Sequence, residues 1–89
     1  MNQPRFPATP ALNRRFRLQW EEAQQCHVLL YPEGMVKLNN SAAEILKCCD
    51  GNTPVDQIVS DLETKFQATN LRPDIEGLLA HAYQHQWIE

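Results

Sequence analysis

The sequence has few of the residues from which small catalytic or metal sites are built. It contains three glycines and three cysteines in 89 residues. No glycine-rich phosphate loop, Cys-x-x-Cys pair or His-Glu-x-x-His motif occurs in it. An odd number of cysteines without metal-type spacing argues against a disulfide framework and against a zinc site. We therefore expect no metal, no cofactor and no catalytic residue, and we interpret the cysteines as small apolar packing residues.

Long apolar runs and an excess of basic charge are also missing. The longest purely apolar run, at residues 28–31, is far too short to cross a bilayer, and the N-terminus has no apolar segment of a secretory signal. The net charge is −3 at pH 7, whereas nucleic-acid binders normally carry a basic face for the phosphates. We expect neither a membrane nor a nucleic-acid partner, and a cytoplasmic location with reduced thiols.

The residues that are present suffice for one small domain. Apolar residues make up 43% of the chain, a normal share for a globular protein. A chain of this length buries only about 60–65% of its unfolded surface, so binding across a groove suits it better than a deep catalytic cavity. Prolines at every third position from Pro4 to Pro10 predict a flexible N-terminal arm over residues 1–11. Residues 12–89 then form the single domain.

The first half of this domain has the pattern of a three-stranded sheet. Apolar and polar residues alternate over residues 14–20, which predicts a half-buried strand. Residues 26–31 are apolar on both faces, as expected for a central strand. The Tyr-Pro-Glu-Gly sequence at residues 31–34 predicts a tight turn, and residues 35–38 a short third strand. We expect an antiparallel meander with the first and third strands at its edges.

From residue 39 onward the spacing of apolar residues becomes helical. The Ser-Ala-Ala-Glu sequence at residues 41–44 is a capping box that opens the first helix, and Asn39 and Asn40 are alternative caps. The Asp-Gly pair at residues 50–51 is expected to end this helix.

Two further helices follow. Thr53 is the expected cap of the second helix, with Pro54 at its first position, and the third helix begins near Pro73. Apolar stripes at helical spacing run along both: Val55, Ile58, Val59, Leu62 and Phe66 in the second, and Ile75, Leu78, Leu79 and Ala82 in the third. Three strands followed by three helices predict an α+β fold of winged-helix type.

Several stretches carry a resemblance when they are taken together. They are Trp20 after the first strand, VLLYPEG at residues 28–34, Leu38-Asn39, AAEIL at 42–46, Cys-Asp-Gly at 49–51 and the closing Trp87-Ile88. In order and spacing, over roughly residues 10–89, they resemble the pyrroloquinoline quinone (PQQ) biosynthesis protein D family. Members of that family are winged-helix domains that recognise a ribosomally made precursor peptide. They hold it for a radical S-adenosylmethionine (SAM) enzyme, which cross-links a glutamate and a tyrosine of the peptide.

The resemblance implies a peptide chaperone that is not an enzyme, with the precursor peptide and the radical SAM enzyme as its partners. It also implies that the peptide lies antiparallel along the third strand and packs on the third helix. The expected peptide-binding residues are Met35, Val36, Lys37 and Leu38 of the strand and Ile75, Gly77, Leu78, Leu79 and Ala82 of the helix. Family members often have glycine before the final tryptophan. Because this chain has Gln86 there, its last helix lacks the residue that favours a left-handed end.

The physics of an edge strand agrees with this expectation. An unpaired edge presents amides and carbonyls that an extended peptide can satisfy. Lys37 on that edge is either an attraction for an acidic peptide or an ordinary solvated charge. Gly77 costs the helix about 0.5–1 kcal/mol relative to alanine, which indicates close approach by another element or by a peptide. Arg14, Arg15 and Arg17 are the solvent face of the first strand or contact an acidic partner.

Three alternatives remain open at this stage. His81 and His85 are spaced i, i+4 and so share a helical flank that can hold a metal, although surface pairs of this kind are common. A DNA-binding winged helix shares the fold, but the second and third helices carry acidic residues where a recognition helix needs basic ones. A free strand edge also suits a generic protein-interaction module, as a monomer or a homodimer.

Overall fold

The computed structural model describes residues 5–89 and places in them one three-stranded sheet followed by three helices. The strands are β1 (Arg17–Glu21), β2 (Cys26–Tyr31) and β3 (Gly34–Lys37), and the helices are α1 (Asn40–Lys47), α2 (Val55–Phe66) and α3 (Arg72–Gln84). The strands pair antiparallel in the order β1-β2-β3. The predicted fold class and strand order are confirmed.

The central strand β2 is buried on both faces. Val28 and Leu29 have no exposed surface, although their side chains point to opposite sides of the sheet. Leu29 lies in the core beneath the helices, opposite Leu18 of β1 and Val36 of β3. The sequence predicted a central strand here because both faces of residues 26–31 are apolar, and the structure confirms it.

The first strand begins later than the alternating pattern predicts. The Asn13 side-chain oxygen accepts a hydrogen bond from the Arg15 amide at 3.0 Å, and the Asn13 carbonyl accepts one from the Phe16 amide at 2.9 Å. This local turn competes with the sheet ladder. The prediction of strand over residues 14–16 is therefore wrong, and β1 starts at Arg17.

The start of α1 uses one of the two asparagines rather than the capping box. The Asn39 side-chain oxygen accepts a hydrogen bond from the Ala42 amide at 2.8 Å. Glu44 does not turn back to the helix start but pairs with Lys47 and Lys65. The helix also ends at Lys47, before the Asp-Gly pair that was predicted to end it.

The cap predicted for α2 is wrong by one residue. Pro54 occupies the cap position with an extended backbone, and α2 begins at Val55. The Thr53 hydroxyl donates to the Asp50 carboxylate at 3.1 Å and so belongs to the preceding loop. The Val55 amide instead donates to the Ala8 carbonyl at 3.2 Å. A segment far away in sequence thus supplies the acceptor that the pattern assigned to threonine.

The predicted apolar stripe of α2 faces the core over most of its length. Val55, Ile58, Val59 and Leu62 are buried, whereas Phe66 at the end of the helix is 50% exposed. Among residues 5–89, no helix has the length and apolar composition needed to span a membrane.

The described part of the N-terminal arm lies against the domain. Pro10 is fully buried, and its carbonyl accepts a hydrogen bond from the Gly51 amide at 2.9 Å. Ala11 exchanges two backbone hydrogen bonds with Glu89, at 3.0 and 2.8 Å. Residues 1–4 lie outside the described residues. The flexibility of the arm and the domain boundary after residue 11 stay predictions.

Helix α3 ends in a Schellman motif around Gln86. The Trp87 amide donates to the Ala82 carbonyl at 2.8 Å and the Gln86 amide to the Tyr83 carbonyl at 3.1 Å, which are the two bonds of this motif. Gln86 has φ 64, the left-handed conformation that glycine adopts without steric cost. A glutamine in this conformation therefore stores backbone strain at this position.

Replacing Pro10 with alanine tests the packing of the arm. The change removes two buried ring carbons and loosens the unfolded chain, so we expect the free energy of unfolding to fall by about 2 kcal/mol. Thr9→Ala, at the exposed neighbour, is the control and is expected to change it by less than about 0.5 kcal/mol. Urea unfolding followed by circular dichroism measures both. Equal stability of Pro10→Ala and the native chain would contradict the packing described here.

Replacing Gln86 with glycine tests the strained helix end. Relief of the left-handed strain exceeds the entropy that glycine adds to the unfolded chain, so we expect a gain of about 0.5–1 kcal/mol. Gln84→Gly, at the last helical residue, is the matched control and is expected to lose about 0.5–1 kcal/mol. Thermal unfolding compares the two variants, and a loss in both would show that Gln86 is not strained.

Candidate functional site

Strand β3 has a free edge whose outward backbone groups belong to Met35 and Lys37. The Leu38 amide donates to the carbonyl of His27 at 3.0 Å, and the register of the two strands places these residues directly opposite each other. Hydrogen-bonded and non-hydrogen-bonded pairs alternate along an antiparallel ladder. Val36 therefore bonds to β2, whereas Met35 and Lys37 direct their N–H and C=O groups away from the sheet.

The side chains of this strand alternate in the same way. Met35 is 43% exposed and Lys37 is also exposed, on the sheet face away from the helices. Val36 is half-buried against the core, and Leu38, just beyond the end of β3, is 6% exposed. Of the four strand residues predicted to bind a peptide, two thus present open backbone groups and two face the helices.

Only two of the five α3 residues in the predicted site reach the surface. Ile75, Leu79 and Ala82 are 2%, 0% and 0% exposed and lie in the core. Leu78 is half-buried and Gly77 is exposed. A Cβ atom at Gly77 would meet no atom within 4 Å, so no neighbouring element in residues 5–89 explains this glycine. Of the two interpretations of Gly77, close approach by another element of the chain is therefore not supported.

A groove of about 330 Å³ lies beside Gly77 and Leu78. Its walls come from the β3–α1 junction and from one flank of α3: Asn39, Ser41, Ala42, Ile45, Asp74, Gly77, Leu78 and His81. The sequence analysis missed the polar members of this set. Two of these polar residues could have been predicted from helical spacing. Asp74 lies four residues before Leu78 and His81 lies three residues after it, so both share its helix face.

The arginines predicted to contact a partner lie away from this groove. Arg14 and Arg15 precede β1 and Arg17 begins it, at the opposite edge of the sheet from β3. All three are exposed. Arg15 lies 3.8 Å from Glu33, with both side chains more than half exposed (63% and 67%), so the pair contributes little to stability.

His81 and His85 are exposed near the C-terminal end of α3, and Cys48 and Cys49 directly follow α1. The ring centroids of His81 and His85 lie 4.2 Å apart, and both rings lie against the Trp87 side chain. Within the described part of the chain, no group of three or more His, Cys, Asp or Glu side chains is placed to hold a metal ion. Burial raises the pKa of the Cys49 thiol to about 12 and also raises the pKa of Cys48. Both thiols are therefore protonated at neutral pH and are poor nucleophiles.

Comparison with known proteins connects this geometry to a family. Residues 26–88, which include β2, β3 and all three helices, match the sequence model of Coenzyme PQQ synthesis protein D (PqqD). The chain belongs to the PqqD family. The family inferred from the sequence stretches is thereby confirmed, and the match includes both walls of the groove.

Relatives with similar sequences extend over the whole chain. The PqqA binding protein of Stutzerimonas stutzeri is 47% identical and that of Pseudomonas aeruginosa 50% identical, each across 100% of this chain and 98% of the relative. The solution NMR structure of the PqqD truncation of Methylobacterium extorquens PqqCD has a TM-score of 0.77 and 34% identity, with 94% of each chain covered. That protein is a functional and stand-alone recognition element for ribosomally synthesized and post-translationally modified peptides (RiPPs).

Replacing Gly77 with alanine tests whether packing within the chain requires this glycine. Because a Cβ there meets open space, alanine restores helix propensity at no steric cost, and we expect a gain of about 0.5–1 kcal/mol in unfolding free energy. Gly51→Ala is the control: its φ of 81 and the 3.3 Å approach to the Ala11 Cβ predict a loss. Thermal unfolding decides, and destabilisation by Gly77→Ala would reveal a packing role.

Proposed function

We propose that this PqqD family member binds the precursor peptide of PQQ biosynthesis and holds it for the radical SAM enzyme that cross-links its glutamate and tyrosine. In this proposal the chain is a cytoplasmic peptide chaperone and not an enzyme. Its relatives of 47–50% identity are PqqA binding proteins, and the solved PqqD structure is a RiPP recognition element. These relatives support peptide binding by this chain.

The observation that carries the proposal is the free edge of β3, which leads through the β3–α1 junction to the groove on α1 and α3. An extended peptide adds to this edge as a fourth strand, antiparallel to β3. Met35 and Lys37 each offer one N–H and one C=O, so two residues of the peptide form hydrogen-bonded pairs with them. These bonds involve only main-chain atoms, and they give affinity without reading the peptide sequence.

Selectivity comes from the peptide side chains that point toward the helices. Side chains of a strand alternate between the two faces of a sheet, and directly opposed residues share a face. The peptide residue opposite Val36 therefore points to the helix side, where Val36 packs against the core, and we place its contact at the groove of Gly77 and Leu78. Its neighbours point to the other face, beside Met35 and Lys37. A small or medium apolar side chain opposite Val36 fits this arrangement.

The edge model makes an asymmetric prediction for proline substitutions. Lys37→Pro removes an amide that faces the free edge, so the domain should fold while peptide affinity falls about tenfold or more, since one hydrogen bond is lost and the ring obstructs pairing. Val36→Pro removes an amide bonded to β2 and should unfold the sheet. Lys37→Ala keeps the backbone and is the control, with an expected change below about threefold.

Isothermal titration calorimetry with the precursor peptide measures these affinities, and far-ultraviolet circular dichroism checks the fold. In a two-dimensional amide NMR titration, we expect the native chain to show shifts concentrated at Met35, Lys37, Gly77 and Leu78. Undiminished binding by a folded Lys37→Pro variant would exclude strand addition at β3. A native spectrum that does not change at high micromolar peptide would exclude peptide binding altogether.

A further inference from the structure

A second and larger cavity, of about 510 Å³, lies between the three helices. Its walls are mainly apolar and combine residues of α1, α2 and the start of α3: Asn40, Ser41, Glu44, Ile45, Leu62, Phe66, Leu71, Asp74 and Ile75. We call it the interhelical pocket. Asn39, which lies two residues after the end of β3, lines the smaller groove and not this pocket.

The interhelical pocket and the groove beside β3 meet. Ser41, Ile45 and Asp74 line both cavities, so they form a saddle where the start of α1 faces the first turn of α3. Ser41 and Asp74 are exposed, whereas Ile45 is 5% exposed and forms the floor. A chain that leaves the groove over this saddle enters the interhelical pocket.

Strand direction decides which part of the peptide reaches the saddle. β3 runs from Gly34 toward Lys37 and leads into α1 at Asn40. An antiparallel peptide runs the opposite way, so its earlier residues pass the β3–α1 junction and its later residues leave near the β2–β3 turn. The segment on the N-terminal side of the paired residues is therefore the one that crosses Ser41.

The walls of the pocket indicate which side chain it takes. Phe66 is the one residue of the α2 stripe that is 50% exposed, and it stands at the rim of an otherwise apolar cavity. Glu44 of α1, which also lines the pocket, forms ion pairs with Lys47 and Lys65. Asp74 is exposed and, within residues 5–89, takes part in no ion pair. A carboxylate beside an apolar pocket is complementary to an apolar side chain next to a basic one.

We infer that the interhelical pocket binds an apolar side chain from the part of the precursor peptide that precedes the β3-paired segment, with an adjacent basic residue beside Asp74. This inference rests on the proposed function, because it takes its direction from the antiparallel pairing with β3. The pocket adds a second contact, and this contact depends on the side chains of the peptide. It lies across the saddle from Leu78. The peptide is thus held at two places by different forces.

Replacing Phe66, at the rim of the interhelical pocket, with alanine tests the inference. Binding of two peptides is compared. The first is the full-length precursor peptide, and the second lacks the residues before the segment that NMR shows to pair with β3. We expect Phe66→Ala to weaken binding of the full-length peptide roughly tenfold and of the shortened peptide less than about twofold. Tyr83→Ala removes an aromatic residue of similar exposure (43%) that lines neither cavity, and should change neither affinity by more than about twofold.

Methyl NMR of the native chain provides a second readout that needs no variant. The methyl groups of Leu62 and Leu71, which line the interhelical pocket but not the groove, should shift with the full-length peptide and stay unchanged with the shortened one. An equal effect of Phe66→Ala on both peptides, or no effect on either, would overturn the pocket assignment, as would methyl signals that are silent with the full-length peptide. Failure of Lys37→Pro to weaken the shortened peptide would instead overturn strand addition, so the two failures are distinguishable.

Discussion

Burial of β2 on both faces is the constraint from which the rest of this small structure follows. A strand whose central residues, Val28 and Leu29, have no exposed surface must have a neighbour on each side and must be covered by other residues above and below. Because the described residues form three strands, β1 and β3 are then both edges. The register with β2 also determines which amides of β3 bond within the sheet. The Val36 amide bonds to β2, and the amides of Met35 and Lys37 on either side of it therefore face outward. Burial of β2 thereby determines which backbone groups of β3 face outward.

Helix α1 connects the sheet to the other two helices. It contacts β1, β2, α2 and α3, and the small buried residues Ala42 and Ala43 allow these elements to approach closely. Both cavities also have a wall on α1, from Ser41 and Ile45. The sequence analysis assigned the site to β3 and α3 and named no residue of α1. In the structure, α1 supplies one wall of the groove and α3 the other.

The sequence predicted the fold well because periodicity reports burial directly. Alternation predicted β1, the apolar run predicted β2, the turn sequence predicted β3 and the 3.6-residue spacing predicted the helices. The predicted cap of α2 was wrong because the acceptor, the Ala8 carbonyl, comes from a distant segment. The site was only partly predictable for a related reason. A stripe such as Ile75, Leu79 and Ala82 cannot both form the core and contact a ligand. The orientation in which α3 packs leaves Leu78 and Gly77 accessible. The sequence of the helix alone does not predict that orientation.

The hydrogen-bonded pairing of Ala11 with Glu89 brings the two ends of the folded domain to one point. The segment before residue 11 stays on the domain through the buried Pro10 ring and the Ala8 carbonyl at the start of α2. A polypeptide attached after residue 89 therefore leaves the domain beside this segment and has to leave room for it. Circular permutation likewise has to keep residues 8–11 within the folded unit.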